Sequence, residues 1–176
     1  MADKREKAKA GEFFPSSNNW FDYVIRTLYN VAYRGHLAFN FLRRPETQGA
    51  YVAVWHADQV LLIRNSYKPG FTLPCGGIEL DESPKNAARR ELQEEVGLDL
   101  PLSAFCFVYK TLSHSEFKKD HISFFETHQE SLVRIIPDGQ EVIWAGFKKW
   151  EDALSLPLFP PVREYLLRHG PKDVNG

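Results

Sequence analysis

The chain has 176 residues, with 22 Lys and Arg against 23 Asp and Glu, and the net charge of −1 excludes nucleic-acid polymers held by a general basic field. At 43% hydrophobic and 14% aromatic it is not a disordered chain, and its length suits one domain with a buried core plus an extension. Cys75 and Cys106 form no Cys-x-x-Cys and are too few for a disulfide framework, so a reduced, cytoplasmic setting is expected.

Met1 to Gly11 carries charges of both signs and no apolar signal-peptide core. Residues 1–18 are expected to form a flexible charged tail. Residues 19–44 read as an amphipathic aromatic helix, running from Asn19 to Leu42. Asp22, Arg26, Asn30 and Arg34 recur at four-residue steps as a polar stripe, and most of the remaining circumference is apolar. The length approaches a bilayer span, but Arg26 and Arg34 would each cost roughly 2.5–3.5 kcal/mol at the centre of a spanning helix. That excludes a transmembrane segment. Three readings remain: packing on its own domain, a homodimerisation arm, or a helix lying on a membrane surface with Arg43 and Arg44 at its edge. The first two are favoured, because large aromatic faces are buried in protein more often than in lipid. Gly35-His36 is a candidate bend.

Pro45 ends the helix. Gln48–Trp55 and Val60–Arg64 are apolar, β-branched runs separated by a hairpin-like turn at His56–Gln59. A loop, Arg64–Gly70, leads to a short strand at Phe71–Pro74. Then comes the most informative stretch, Gly76 to Leu98: a glycine turn, an acidic loop and a short helix. Ser83 is a good N-cap, Pro84 suits the first helical position and Gly97 supplies a left-handed end. Ala88, Leu92 and Val96 give a narrow stripe for burial. Glu91, Glu94 and Glu95 share a neighbouring face, where like charges repel unless a divalent cation turns repulsion into chelation. The plainer reading is a solvated acidic helix with Arg89 and Arg90 as local partners.

Beyond it, Pro101–Leu112 is a strand candidate with Phe105, Phe107 and Tyr109 on one face. Ser113–Asp120 is a loop and His121–Glu126 a returning strand. His114, Glu116, Asp120 and His121 cluster at this connection, where a His over an acidic site could aid leaving-group protonation; the plainer and favoured reading is hydrogen-bonding residues at a hairpin end. Pro137-Asp138-Gly139 is a turn and Glu141–Lys148 the last strand. Trp150–Leu154 is a turn of helix, and Pro161–His169 a better one ended by Gly170. Residues 45–170 are thus expected to form one domain, with a short tail at 171–176. The order of elements suggests an α/β/α sandwich on a mixed sheet, plus the N-terminal amphipathic helix.

The stretch from Gly76 to Leu98 resembles the signature of the Nudix hydrolases. Gly76, Glu82, Arg90, Glu91, Leu92, Glu94, Glu95, Gly97 and Leu98 fill its fixed positions. Cys75 stands where the family usually has another Gly, and reads as a packing variant. The resemblance, over roughly Thr47 to Gly170, implies the Nudix sandwich. It also implies hydrolysis of a phosphoanhydride bond in a nucleoside diphosphate linked to another group, by metal-activated water. On that template Glu91, Glu94 and Glu95 hold Mg²⁺ (or Mn²⁺ as a substitute), with the Gly76 carbonyl as a further ligand. Arg90 pairs with Glu82 to hold the helix against its loop. Glu141 joins the metal site or positions water. The loop after the second strand lies near the bound nucleotide or diphosphate in that fold, which makes Arg64 and Lys68 phosphate-contact candidates; the plainer reading is two surface cations beside a turn. Submotifs for ADP-ribose, dinucleoside polyphosphates, coenzyme A and NADH are not evident. Two other classes stay open: a ligand sensor that kept the fold and lost turnover, and a membrane-recruited hydrolase of a lipid-linked diphosphate.

Overall fold

The computed structural model describes residues 12–13, 20–137 and 139–170. In chain order the elements are β1 (Glu12–Phe13), α1 (Trp20–Arg43), β2 (Glu46–His56), β3 (Gln59–Asn65), β4 (Cys75–Gly77), α2 (Pro84–Val96), β5 (Cys106–Ser113), β6 (Lys119–His128), β7 (Val142–Lys149), α3 (Trp150–Ser155) and α4 (Pro160–His169). The tails expected at 1–18 and 171–176, and Asp138 of the expected turn, lie outside the described residues, with one correction. Glu12–Phe13 is a strand, pairing with Ala145 and Gly146 of β7.

Strand β2 is the axis of the sheet. It runs parallel to β6 along one side, and on the other pairs antiparallel with β4 and then β3. The order β1-β7-β3-β2-β6-β5 is a mixed sheet. Residues 49–55 of β2 are all buried, as a strand covered on both faces must be. Ala50, Val52 and Val54 join Leu61 and Ile63 beneath Ala88, Leu92 and Val96 of α2. Their neighbours Tyr51, Ala53 and Trp55 join Val60 and Leu62 against Val162, Tyr165 and Leu166 of α4. The result is the α/β/α sandwich.

Three local expectations need correction. The short strand is Cys75–Gly77, while at Phe71–Pro74 two isolated bridges join Thr72 to Ile63 and Phe71 to Leu158. The strand expected from Pro101 starts at Cys106, because Leu102–Ala104 turns as a 3-10 helix. Phe105, Phe107 and Tyr109 do not share a face. A register shift between Phe107 and Tyr109 sets Phe107 edge-on to Phe125 and stacks Tyr109 on Phe124, in the opposite core. A bulge of this kind resets the two-residue alternation.

Helix α1 is continuous through Gly35-His36, and it packs on its own domain partly through its polar stripe. Arg26 Nη2 donates to the Gly139 carbonyl at 2.9 Å, Asn30 Nδ2 to the Ser66 carbonyl at 3.4 Å and Tyr33 OH to Glu116 Oε1 at 2.9 Å. Asn40 is buried and donates to the Glu116 carbonyl at 3.2 Å. The surface beneath is made of loops, which offer carbonyls and a carboxylate rather than an apolar groove, so polar side chains fit it better. Apolar side chains of α1 are left facing outward. Among the described residues no helix is long and apolar enough to cross a membrane.

Candidate active site

Helix α2 is held at both ends by its own sequence. Ser83 Oγ accepts from the Asn86 amide at 3.2 Å, Pro84 opens the first turn and Gly97, at φ 68°, closes the last by donating to the Gln93 carbonyl at 2.9 Å. With the apolar stripe in the core, the carboxylates are carried along one edge toward β4. Glu95 is buried, Glu91 half-buried and Glu94 exposed.

Arg90 organises the outer part of the cluster. Its Nε and Nη2 form a fork on Glu82, at 3.0 and 2.9 Å. Nη2 also reaches the Gly77 carbonyl at 2.9 Å, and Nη1 reaches Glu91 at 2.6 Å and Glu94 at 3.2 Å. One guanidinium thus ties the acidic loop, the glycine turn and two helix carboxylates together. Gly76 is packed against Glu91 so tightly that a Cβ would lie 2.0 Å from the carboxyl carbon.

The inner part is short of positive charge. Glu95 Oε2 accepts from the Cys75 amide at 2.8 Å, and the Asn65 side chain also bonds this carboxylate. Burial still pushes the Glu95 carboxyl well above the usual range, and the charges of Glu91 and Glu141 push the same way. Glu91 is raised for similar reasons: burial first, with Arg90 opposing and Glu94 and Glu141 adding to the rise. Glu141 accepts from Tyr67 OH at 2.6 Å. Among the described residues no three Asp, Glu, His or Cys side chains converge on one cation position. Arg90 draws Glu91 and Glu94 to itself, and Glu95 is turned onto the Cys75 amide. Yet an all-oxygen set with surplus negative charge fits a hard divalent cation, with Glu91, Glu94, Glu95 and Glu141 as the side chains able to hold it.

Beside the carboxylates lies a cavity of about 240 Å³, walled by Tyr33, Tyr51, Tyr67, Phe71 and Phe159. Asn65 and Cys75, both partners of Glu95, line it too, so the cavity opens next to the buried carboxylate. Lys68 also lines it, bound to Glu116 at 3.2 Å. Arg64 is exposed on β3 and is not among the lining residues. The cluster around the β5–β6 connection is divided: Glu116 faces α1 and the cavity, and buried Asp120 pairs with Lys118 and Thr47. His121 stands 3.9 Å from Glu46, and His114 is exposed. Cys75 is half-buried in the cavity wall, and desolvation there pushes its thiol up to about 12, with the Glu95 charge adding to it.

The NUDIX domain profile matches residues 45–169. The chain is a Nudix hydrolase. It is 35% identical over 134 residues to a Bacillus subtilis (strain 168) protein named "Putative 8-oxo-dGTP diphosphatase", covering 73% of this chain and 85% of the relative. It is 32% identical over 128 residues to the Bos taurus diphosphoinositol polyphosphate phosphohydrolase 3-beta, covering 68% of this chain and 74% of that one. Among solved structures, the MutT protein of Methanosarcina mazei Go1 superposes with a TM-score of 0.62 at 21% identity, over 72% of this chain and 94% of the other; this likeness is one of fold.

Tyr33, Tyr51, Asn65, Tyr67, Phe71 and Phe159 of this Nudix hydrolase's cavity escaped the sequence reading, and Glu116 was singled out only as one of a polar cluster at a strand connection. Alternation along β3 was a usable signal for Asn65, which follows Leu61 and Ile63 on the α2 side of the strand. Nothing local placed Glu116 at the cavity. It takes φ 55°, a left-handed conformation that a non-glycine residue holds only when its surroundings fix it, as Tyr33, Lys68 and Asn40 do here.

Proposed function

We propose that this Nudix hydrolase cleaves a phosphoanhydride bond in a ring-bearing nucleotide, in which a nucleoside diphosphate is linked to a further group (the third phosphate of a triphosphate included), with Mg²⁺ as cofactor and Mn²⁺ as a substitute. The observation that carries this reading is that the hydrogen-bond partners of Glu95 (Cys75 and Asn65) and of Glu141 (Tyr67) line an aromatic cavity. Tyr33, Tyr51, Tyr67, Phe71 and Phe159 offer ring faces for a planar base. Glu91, Glu94 and Glu95 hold the cation, with the Gly76 carbonyl as a further donor. A bound divalent cation neutralises phosphate oxygens and makes a water nucleophilic near neutral pH. Arg90 and Glu82 keep the turn and α2 in register, and Glu141, held by Tyr67, orients the attacking water and takes its proton. Lys68 exchanges Glu116 for a substrate phosphate. Arg64 has no place in this account. The two free cysteines fit a cytoplasmic site of action.

The relatives divide between nucleotides and diphosphoinositol polyphosphates. A cyclitol dense in phosphates has no face to stack and calls for several cations. Lys68 is the one cation among the described lining residues, and Glu116 neutralises it. The nucleotide class is therefore favoured. The test is turnover with Mg²⁺ on a panel of nucleoside di- and triphosphate compounds and diphosphoinositol polyphosphates, read by mass spectrometry. Nucleotide products that disappear on chelation are expected. Turnover confined to the inositol compounds overturns the substrate class, and tight binding without product points to a sensor.

A further inference from the structure

The outward face of α1 has a regular pattern. Phe21, Val24, Leu28, Val31, Gly35, Ala38 and Leu42 alternate at three- and four-residue steps, and every one is exposed. Arg26, Tyr33 and Asn40, which hold α1 to the domain, sit on the opposite side of the same heptad repeat. One side of the helix is therefore used within the chain, and the diametrically opposed side is an apolar seam left exposed among the described residues.

The seam is large enough to matter. Trp20 is 77% exposed, Leu28 59%, Val31 63% and Leu42 79%. At side-chain areas of about 150–250 Å² for a large hydrophobe, the seam with Trp20 and Phe39 exposes roughly 900 Å² of apolar surface. That exceeds the ~400 Å² tolerated on a soluble monomer and reaches the ~800 Å² that each partner gives to a standard interface.

We propose that α1 pairs with α1 of a second copy of this chain, the two helices crossing closest at Gly35 and Ala38. Gly35 favours this occupant over a lipid surface. A glycine inside an exposed helix costs about 1 kcal/mol relative to alanine, and a Cβ there would meet nothing within 4 Å, so the chain's own packing does not call for it. A facing helix does, because a small residue lets two backbones approach. An interfacial helix also presents a basic polar face to headgroups and water, whereas here Arg26 of the polar stripe is bonded to the Gly139 carbonyl of the domain. The pairing leaves the cavity accessible, since Tyr33 stays on the inner face.

Sedimentation velocity on the full chain from about 1 to 100 µM tests this. Wild type is expected at twice 20.3 kDa, with the Leu28→Glu/Val31→Glu variant at 20.3 kDa and its dissociation constant raised at least ~100-fold. Gly35→Leu, which keeps helix propensity and fills the crossing point, should shift the same way. In a Cys106→Ser background, Ala38→Cys should form a disulfide-linked dimer on mild oxidation, and Glu130→Cys should not. Wild type at the monomer mass throughout overturns the proposal, whatever the variants do. So does a dimer unaffected by both seam variants. A wild-type monomer that cosediments with phosphatidylcholine/phosphatidylserine vesicles, and loses this on Leu28→Glu/Val31→Glu, makes lipid the occupant instead.

Discussion

An alanine at position 76 would place its Cβ 2.0 Å from the Glu91 carboxyl carbon and one oxygen, and 2.4 Å from the other oxygen. Carbon atoms in contact sit ~3.5–4.0 Å apart, so the carboxylate must retreat by about 1.5–2 Å. The backbone at 76 is not left-handed, so space alone makes glycine necessary there. The obstacle is the end of a flexible side chain, and the fold can yield: loss of the 2.6 Å Arg90–Glu91 bond costs about 1 kcal/mol, or roughly 2–4 °C in Tm. Chemistry cannot yield as easily. A misplacement of about 1 Å in a catalytic constellation costs ~10²-fold, which is about 2.7 kcal/mol of barrier. Gly76→Ala should therefore lower Mg²⁺-dependent turnover by at least ~100-fold in a protein that melts almost normally. Gly77 is the control, because a Cβ there meets nothing within 4 Å and its φ is ordinary. Gly77→Ala should retain activity within about two-fold. Turnover is followed by phosphate or nucleotide release, and folding by thermal unfolding. A Gly76→Ala enzyme as fast as wild type, or a Gly77→Ala enzyme equally damaged, refutes the reasoning.

Glu91→Gln, Glu94→Gln and Glu95→Gln should each lower turnover by roughly 10²–10⁴-fold without unfolding the protein, with Glu82→Gln less affected because it acts through Arg90; activity that survives chelation, or fast Glu94→Gln and Glu95→Gln enzymes, would contradict this. The Glu95 carboxyl is raised by burial, so the folded state holds its proton more tightly than the unfolded chain does. Its contribution to stability is full below the ordinary Glu value and is lost as pH rises through the folded one. Without divalent cations, wild type should lose Tm relative to Glu95→Gln as pH rises from about 4 to 8, and Mg²⁺ should narrow the gap; a gap that does not change with pH counts against it. Cys106 is exposed, whereas Cys75 is half-buried with its thiol pushed up to about 12, so mass spectrometry after mild alkylation at neutral pH should find the label on Cys106 alone. Cys75→Gly should retain activity; loss of wild-type activity on mild alkylation, prevented by Cys75→Gly, would reverse the assignment.

What the sequence made legible was local. The caps of α2, its buried stripe and the placing of Glu91, Glu94 and Glu95 on one edge depend on residues within a few turns of one another. What it hid was set by partners far along the chain. The register shift at Phe107–Tyr109 is decided by β6, and across it Phe105 lies in one core, Phe107 is exposed and Tyr109 packs against the other core. Helix α1 has a clear polar stripe, but which side meets the domain depends on the carbonyls of Ser66, Glu116 and Gly139, and those become neighbours only in the fold. Lys68 was visible as a cation near a turn; its pairing with Glu116 was not.

The parallel pairing of β2 with β6 holds one offset throughout, from Glu46 with Lys119 to Trp55 with His128. That offset has a consequence for synthesis. A ribosome adding about 5–20 residues per second needs roughly 4–15 s to cover the 73 residues between partners. During that interval β2 has only β3 and β4 beside it, and its other edge is an open ladder. A nascent chain ending near residue 110 already contains the whole of Gly76 to Leu98, yet α2 rests on a sheet lacking half its central pairing. Contacts so distant in sequence place folding in the slow range, milliseconds to seconds once the chain is complete. Helix α2 is therefore complete before the strand that finishes the sheet beneath it.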